Sequence, residues 1–242
     1  MEYALLLFIS FVSNLFSAFS GGGAGIIQLP AILLLFEISF PVALATHKIS
    51  TVLLGIGASL KFFEKNKPDR RIFNEGLIVG LPAVIIGAFS ITYIDENIAR
   101  KLLGVLIFIV FILSFTKGTN QKTKEVNSSM VYFLLFVIGF LNGSLSAGTG
   151  LLYTLMLTKI YGFSFKEAIG YTLLVVGLFY NLIGAIVLYL ISAISITILP
   201  VLLIGSLAGG YVGAMIAISR SNIFIKIAYQ IVTLIVAYKL LF

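Results

Sequence analysis

The sequence predicts an all-α, polytopic membrane protein of eight to ten segments, built as two inverted-topology repeats with paired, glycine-interrupted helical hairpins. Three observations predict it. Of 242 residues, 60% are hydrophobic and 10% charged, where a soluble domain carries about 25% charged residues. The apolar residues fall in runs near the roughly 20 residues that a spanning helix needs. The chain also resembles itself at an offset of 125 residues.

In chain order, the stretch "MEYALLLFISF" lacks a basic leader and a small-residue cleavage pattern, so it reads as a first membrane segment rather than a signal peptide. Residues 3–19 and 24–36 form two shorter runs separated by "SGGGAG". Full spans follow at 40–60, 72–94 and 98–116. A second pair of short runs, 130–145 and 151–161, flanks "SAGTG", and full spans close the chain at 165–191, 195–219 and 223–242. Short hydrophobic runs interrupted by glycine are the pattern of re-entrant hairpins and broken helices. The chain reads as a single membrane domain, 1–242, with repeat one at 1–116, a polar linker at 117–129 and repeat two at 130–242.

The net charge of +7 gathers in short loops, as the positive-inside rule requires, and does not argue for nucleic acid. The loop "KFFEKNKPDRR" carries five basic residues against Glu64 and Asp69, and "KGTNQKTKEVNSS" carries three against Glu125. Two spans separate these loops, so they share a face, and by charge 61–71 and 117–129 are cytoplasmic in an inner membrane. Both chain ends then fall outside. There is no cysteine, hence no disulfide or thiolate site.

At the 125-residue offset "GGGAGII" lies over "SAGTGLL", placing Gly23 on Gly148 and Gly25 on Gly150. Phe40 meets Phe165, Ala43 meets Ala168, Gly80 meets Gly205 and Lys101 meets Lys226. The basic loop 61–71 corresponds to the uncharged turn 191–195 on the opposite face. That is the signature of an inverted repeat, common among secondary transporters.

With "GGGAGIIQLPAILLL", "FPVALATHKISTVLLGIGASLKFF", the basic loop and "GLIVGLPAVIIGAF" in order, and a weaker echo in "GSLSAGTGLLYTLMLTKIYGFSFKEAIGYTLL", the chain resembles the sulfite exporter TauE/SafE family of membrane permeases. The resemblance covers nearly the whole length. It implies ATP-independent transport, generally export, of sulfur oxyanions or sulfonates such as sulfite or thiosulfate. The chain departs from the family where a Gly-Thr-Ser stretch is usual, reading Ala45-Thr46-His47-Lys48 in the first half and Gly170-Tyr171-Thr172 in the second.

An anion that leaves water needs donors in place of its hydration shell. Helix starts offer free N–H groups and the positive end of the helix dipole, and glycine lets that backbone approach an oxyanion closely. Gly21, Gly22, Gly23 and Gly25 of repeat one, and Ser146, Gly148, Thr149 and Gly150 of repeat two, are therefore expected to form an anion cradle made twice. Gln28, Asn142 and Ser144 are expected to complete it, with Thr46, Tyr171 and Thr172 as further lining; Ser20, Ser50, Tyr153 and Asn181 are secondary candidates. Lys48 lies near the middle of its span, where a charge costs roughly 2.5–3.5 kcal/mol by insertion scales and marks a functional site. It is expected to neutralise the anion, while His47 is a candidate for proton coupling. One histidine, no cysteine and no clustered carboxylates in the spans argue against an enzyme. No cofactor or metal is expected, and the partners are a small anion and lipid. An anion channel and a carrier of a non-sulfur anion are the alternatives.

Overall fold

The computed structural model describes residues 2–64, 68–114, 128–219 and 234. Every regular element among them is helical. The first half comprises α1 (Glu2–Ser20), α2 (Ala24–Leu35), α3 (Phe40–Phe62), α4 (Arg70–Ile91) and α5 (Glu96–Ser114). The second half comprises α6 (Ser128–Ser144), α7 (Thr149–Ile160) and a continuous run, followed by α10 (Leu199–Ser219). The run is α8 (Phe165–Thr172), a π-helical stretch (Leu173–Tyr180) and α9 (Asn181–Ile191).

Five of these helices are long and apolar enough to cross a membrane: α1, α3, α4, the run Phe165–Ile191 and α10. The opening run is longer than the sequence suggests. α1 is a full span rather than a short hairpin arm, and its last turn stays helical because Ser20 Oγ donates to Phe16 O at 2.7 Å. Its partner α2 and the equivalent α7 have only 12 residues each. At 1.5 Å per residue each is about 18 Å long, well short of the ~30 Å hydrocarbon layer. The expected span 98–116 is helical as far as Ser114, with Glu96, Arg100 and Lys101 in its first turns. The expected final span 223–242, residue 234 apart, and linker residues 117–127 lie outside the described residues.

The local chemistry of the boundaries repeats. α2 starts at Ala24 and α7 at Thr149; α2 ends at Leu35 and α7 at Ile160, so both ends are separated by the same 125 residues. Ser39 before α3 and Ser164 before α8 are equivalent N-caps in extended conformation. Ser164 forms a full capping box with Glu167, satisfying two donors of the first turn, whereas Pro41 sits in the first turn of α3, where its missing N–H costs nothing.

Packing repeats too. α1 lies along α10, and α4 along α6. At the 125-residue offset α1 corresponds to α6 and α4 to α10, so the two seams are the same pair with the repeats exchanged. Small residues let the backbones meet in both. A Cβ on Gly209 would lie 2.3 Å from Phe11 O, and one on Gly143 would lie 2.2 Å from Val84 O. Lipid gives no hydrophobic drive for helix association, so such close seams supply the dispersion contact instead. α3 runs through the middle against α10, the π stretch and α9.

Alanine at Gly143 or Gly209 is therefore expected to destabilise the protein in detergent by about 1–3 kcal/mol, the usual range for overpacking. Gly57→Ala is the control, since its Cβ would meet nothing closer than 3.5 Å. Thermal unfolding midpoints check this; equal midpoints for all three variants would contradict it.

Candidate functional site

α1 ends in three glycines with positive φ: 78° at Gly21, 152° at Gly22 and 153° at Gly23. The second turn reproduces this with Ser146 at φ 58° and Gly148 at φ 69°. Ser146 stands at the position equivalent to Gly21. A left-handed serine costs on the order of 1 kcal/mol, so the turn shape is retained where its ideal residue is absent. Gly23 and Gly148 are the N-caps of α2 and α7, and neither helix has a side-chain cap. Among the described residues the N–H groups of Ala24, Gly25, Thr149 and Gly150 make no hydrogen bond to backbone. Four donors of two helix starts are thus left open, as at any uncapped N-terminus.

The two turns touch backbone to backbone. A Cβ on Gly25 would sit 2.3 Å from Ser146 O, one on Gly22 would sit 2.7 Å from Leu151 N, and one on Gly150 would sit 2.5 Å from Gly21 O. Beside this contact is a cavity of about 30 Å³, room for about two water molecules. Its walls come from both halves at equivalent positions. Ser17 and Asn142, Gly21 and Ser146, Gly23 and Gly148, Ala24 and Thr149, Gly25 and Gly150, His47 and Thr172, and Thr51 and Val176 all line it, each pair 125 residues apart. Leu173, Val176 and Gly177 of the π stretch form one side. The wider turn of a π segment is a frequent feature of functional sites. Here it lets α3 approach so closely that a Cβ on Gly55 would lie 2.5 Å from Leu178 N.

Lys48 lies directly behind this wall and is wholly buried. Its Nζ donates to Asn142 O at 2.6 Å, Asn142 Oδ1 at 3.0 Å, Ser146 Oγ at 3.4 Å and Asn181 Oδ1 at 3.4 Å. Its stem lies across α9 at Gly184, where a Cβ would come within 3.0 Å of Cδ and Cε. The side chain does not snorkel to either surface. Every neighbour of Nζ is an acceptor, which suits an ammonium with three donors and no lone pair. Asn142 also donates from Nδ2 to Thr149 Oγ1 at 3.1 Å, linking the lysine to the start of α7.

His47 forms part of the cavity wall, and a chain of hydrogen bonds sets its tautomer. Ser10 Oγ donates to Leu202 O at 3.0 Å, so it accepts from Gln28 Nε2 at 2.8 Å. That turns Gln28 Oε1 toward His47, whose Nδ1 lies 2.8 Å away and must carry the proton. Nε2 is the ring nitrogen left for the cavity. Gln28 is thus a buried positioning residue and not part of the lining.

Of the sequence-predicted residues, Gly21, Gly22, Gly23, Gly25, His47, Asn142, Ser146, Gly148, Thr149, Gly150 and Thr172 line the one cavity, with Gln28 and Lys48 immediately behind it. Three others do not come together with them. Thr46 is one residue, about 100° of helix, from His47; it donates to Val42 O and accepts from Ser195 N. Ser144 donates to Phe140 O in its own helix. Tyr171 Oη accepts from Asp69 N. Among the secondary candidates Asn181 lines the cavity, Ser50 donates to Gln28 Oε1, and Tyr153 packs against Tyr180. Sequence reasoning missed Ser17 and Thr51. Ser10, Ser13, Asn14 and Ser17 recur at three- and four-residue spacing along one face of α1, and that polar stripe was the available signal.

The family model described as "Sulfite exporter TauE/SafE" matches residues 6–240. A "probable membrane transporter protein" of Haemophilus influenzae is 27% identical over 99% of this chain and 94% of its own length. Proteins described in the same terms from Bacillus subtilis and Sinorhizobium are each 24% identical over 98% of this chain, covering 100% and 92% of their own lengths. No solved structure matches.

Alanine at Gly25 and at Gly150 is expected to abolish function alike, because each Cβ collides with the opposite turn's backbone. Equal loss of transport in both, with membrane insertion retained, is the expected result. Loss in one alone would contradict a cradle built from both halves.

Proposed function

The chain belongs to the sulfite exporter TauE/SafE family and is a multi-pass membrane transporter, not an enzyme; on that premise we propose that it is a secondary transporter of a small sulfur oxyanion, such as sulfite or thiosulfate, across the cytoplasmic membrane. The two halves act as inverted repeats and expose the cavity alternately to each side, with the basic loops 61–71 and 117–129 on the cytoplasmic face. The single observation that carries this reading is the cavity lined by equivalent residues of both halves at the starts of two half-length helices. Discontinuous helices whose N-termini converge at mid-membrane suit an anionic substrate.

The substrate sits against the open amides of Ala24, Gly25, Thr149 and Gly150, with Lys48 behind Asn142 and Ser146 as the balancing charge. The hydroxyl of Ser17 supplies a further donor, whereas those of Thr51 and Thr172 already donate to backbone carbonyls of their own helices. The cavity volume favours a compact oxyanion over a long-chain sulfonate. His47 presents Nε2 to the same space. A protonated Nε2 is a donor, so a doubly charged anion binds with a proton on His47, whereas a singly charged one is balanced by Lys48 alone. The internal repeat supports alternating access over a channel.

Proteoliposomes test the reading. Sulfite or thiosulfate flux is expected to saturate with concentration and to show counterflow, in which unlabelled anion on one side drives labelled anion from the other. Linear flux without counterflow would indicate a channel. Saturable flux of non-sulfur anions alone would replace the substrate class.

A further inference from the structure

Lys48 also bears on how much charge the carrier moves. Of the nine acidic residues of the sequence, the eight described fall in loops or in the first two turns of a helix. Several have partners of their own: Glu64 with Lys61, Glu75 with Arg71 and Tyr161, Glu96 with Arg100, and Glu167 with Ser164. Among the described residues no carboxylate lies within ion-pair distance of Lys48; its four acceptors are the neutral oxygens of Asn142, Ser146 and Asn181. These acceptors solvate an ammonium without cancelling its charge. A buried charge with no counter-ion is costly unless a partner arrives.

We propose that Lys48 is the built-in counter-ion of the transport cavity, so that a singly charged oxyanion binds at net neutrality without a co-bound cation and each one moved carries a single uncompensated negative charge. The proposal rests on the anion-carrier reading above. The charges decide the energetics. A carrier that needs sodium or a proton to neutralise its substrate moves little or no net charge with it. This one supplies the neutralising charge from the protein, which stays behind when the anion leaves. An inside-negative membrane potential then drives the anion outward with no coupling ion, and the direction of net transport follows from electrostatics alone.

Asn181 offers the sharpest test, because Asn181→Asp is nearly isosteric and keeps an acceptor on Lys48. A merely structural role for Lys48 would tolerate or favour that exchange. As a counter-ion, Lys48 would instead be neutralised by the new carboxylate.

The experiment imposes potassium-diffusion potentials on proteoliposomes holding the wild-type chain, Asn181→Asp or Lys48→Met, and follows sulfite, thiosulfate, methanesulfonate, nitrate and formate. For a monovalent anion that is carried, the wild-type accumulation ratio is expected to change tenfold for about 60 mV, as one elementary charge at ~2.3 kcal/mol per 100 mV requires. Asn181→Asp is expected to lose at least tenfold in apparent affinity while retaining the wild-type unfolding midpoint. Monovalent flux indifferent to the imposed potential overturns the proposal, as does an Asn181→Asp variant of unchanged affinity. Potential-driven flux of nitrate or formate without any sulfur anion supports the charge assignment and refutes the sulfur substrate. A protein that carries none of the five overturns both. The wild-type measurement decides the matter even if Lys48→Met does not fold.

Discussion

Everything at the centre of this molecule depends on two helix starts brought together by direct backbone contact between the turn at 20–25 and the turn at 145–150. In hydrocarbon an unpaired N–H costs several kcal/mol, so a helix that begins halfway across a membrane must face protein or a polar space. α2 and α7 do both. Each turn covers part of the other, and the first residues of both helices line the cavity. On the proposed function, close packing and anion binding, often treated as rival explanations for glycine in membranes, become one requirement. A side chain at Gly25 or Gly150 would push the turns apart and open the space that the amides enclose.

The second constraint is the placement of one charge. Lys48 is reached from three directions: by Asn142 and Ser146 from the end of α6 and its turn, and by Asn181 from the junction of the π stretch with α9. Its repeat counterpart, Leu173, is apolar and lines the cavity. The scaffold is therefore twofold, whereas the electrostatics belong to one half. The polar relay from Ser10 through Gln28 to His47 is likewise confined to repeat one, since Gln28 corresponds to Tyr153, which packs in an apolar cluster. A symmetric cage is in this way made chemically asymmetric.

Much of this was legible in the sequence because the signals were local. Glycine density marked the turns, an ionisable residue amid an apolar span marked Lys48, and one constant offset related the halves. What was not legible depended on angle and on neighbours. Thr46, Ser144 and Tyr171 are close to site residues along the chain but point elsewhere, because a helix turns about 100° per residue. Ser17 and Thr51 contribute to the cavity although neither is next to a glycine cluster. The glycines marked the end of α1 to within one residue, but not that its 19 residues are long enough to span a membrane. The π stretch has no compositional mark, since "LLVVGLFY" reads as any apolar helix.

Selenite is an oxyanion of the same shape and charge as sulfite, and its selenium scatters anomalously. An anomalous difference map of the protein crystallised with selenite locates the guest directly. A single selenium peak is expected between the starts of α2 and α7, with its oxygens in hydrogen-bonding reach of the Gly25 and Gly150 amides. A peak elsewhere in the membrane region, with this cavity empty, would contradict the assignment of the two turns as one anion site.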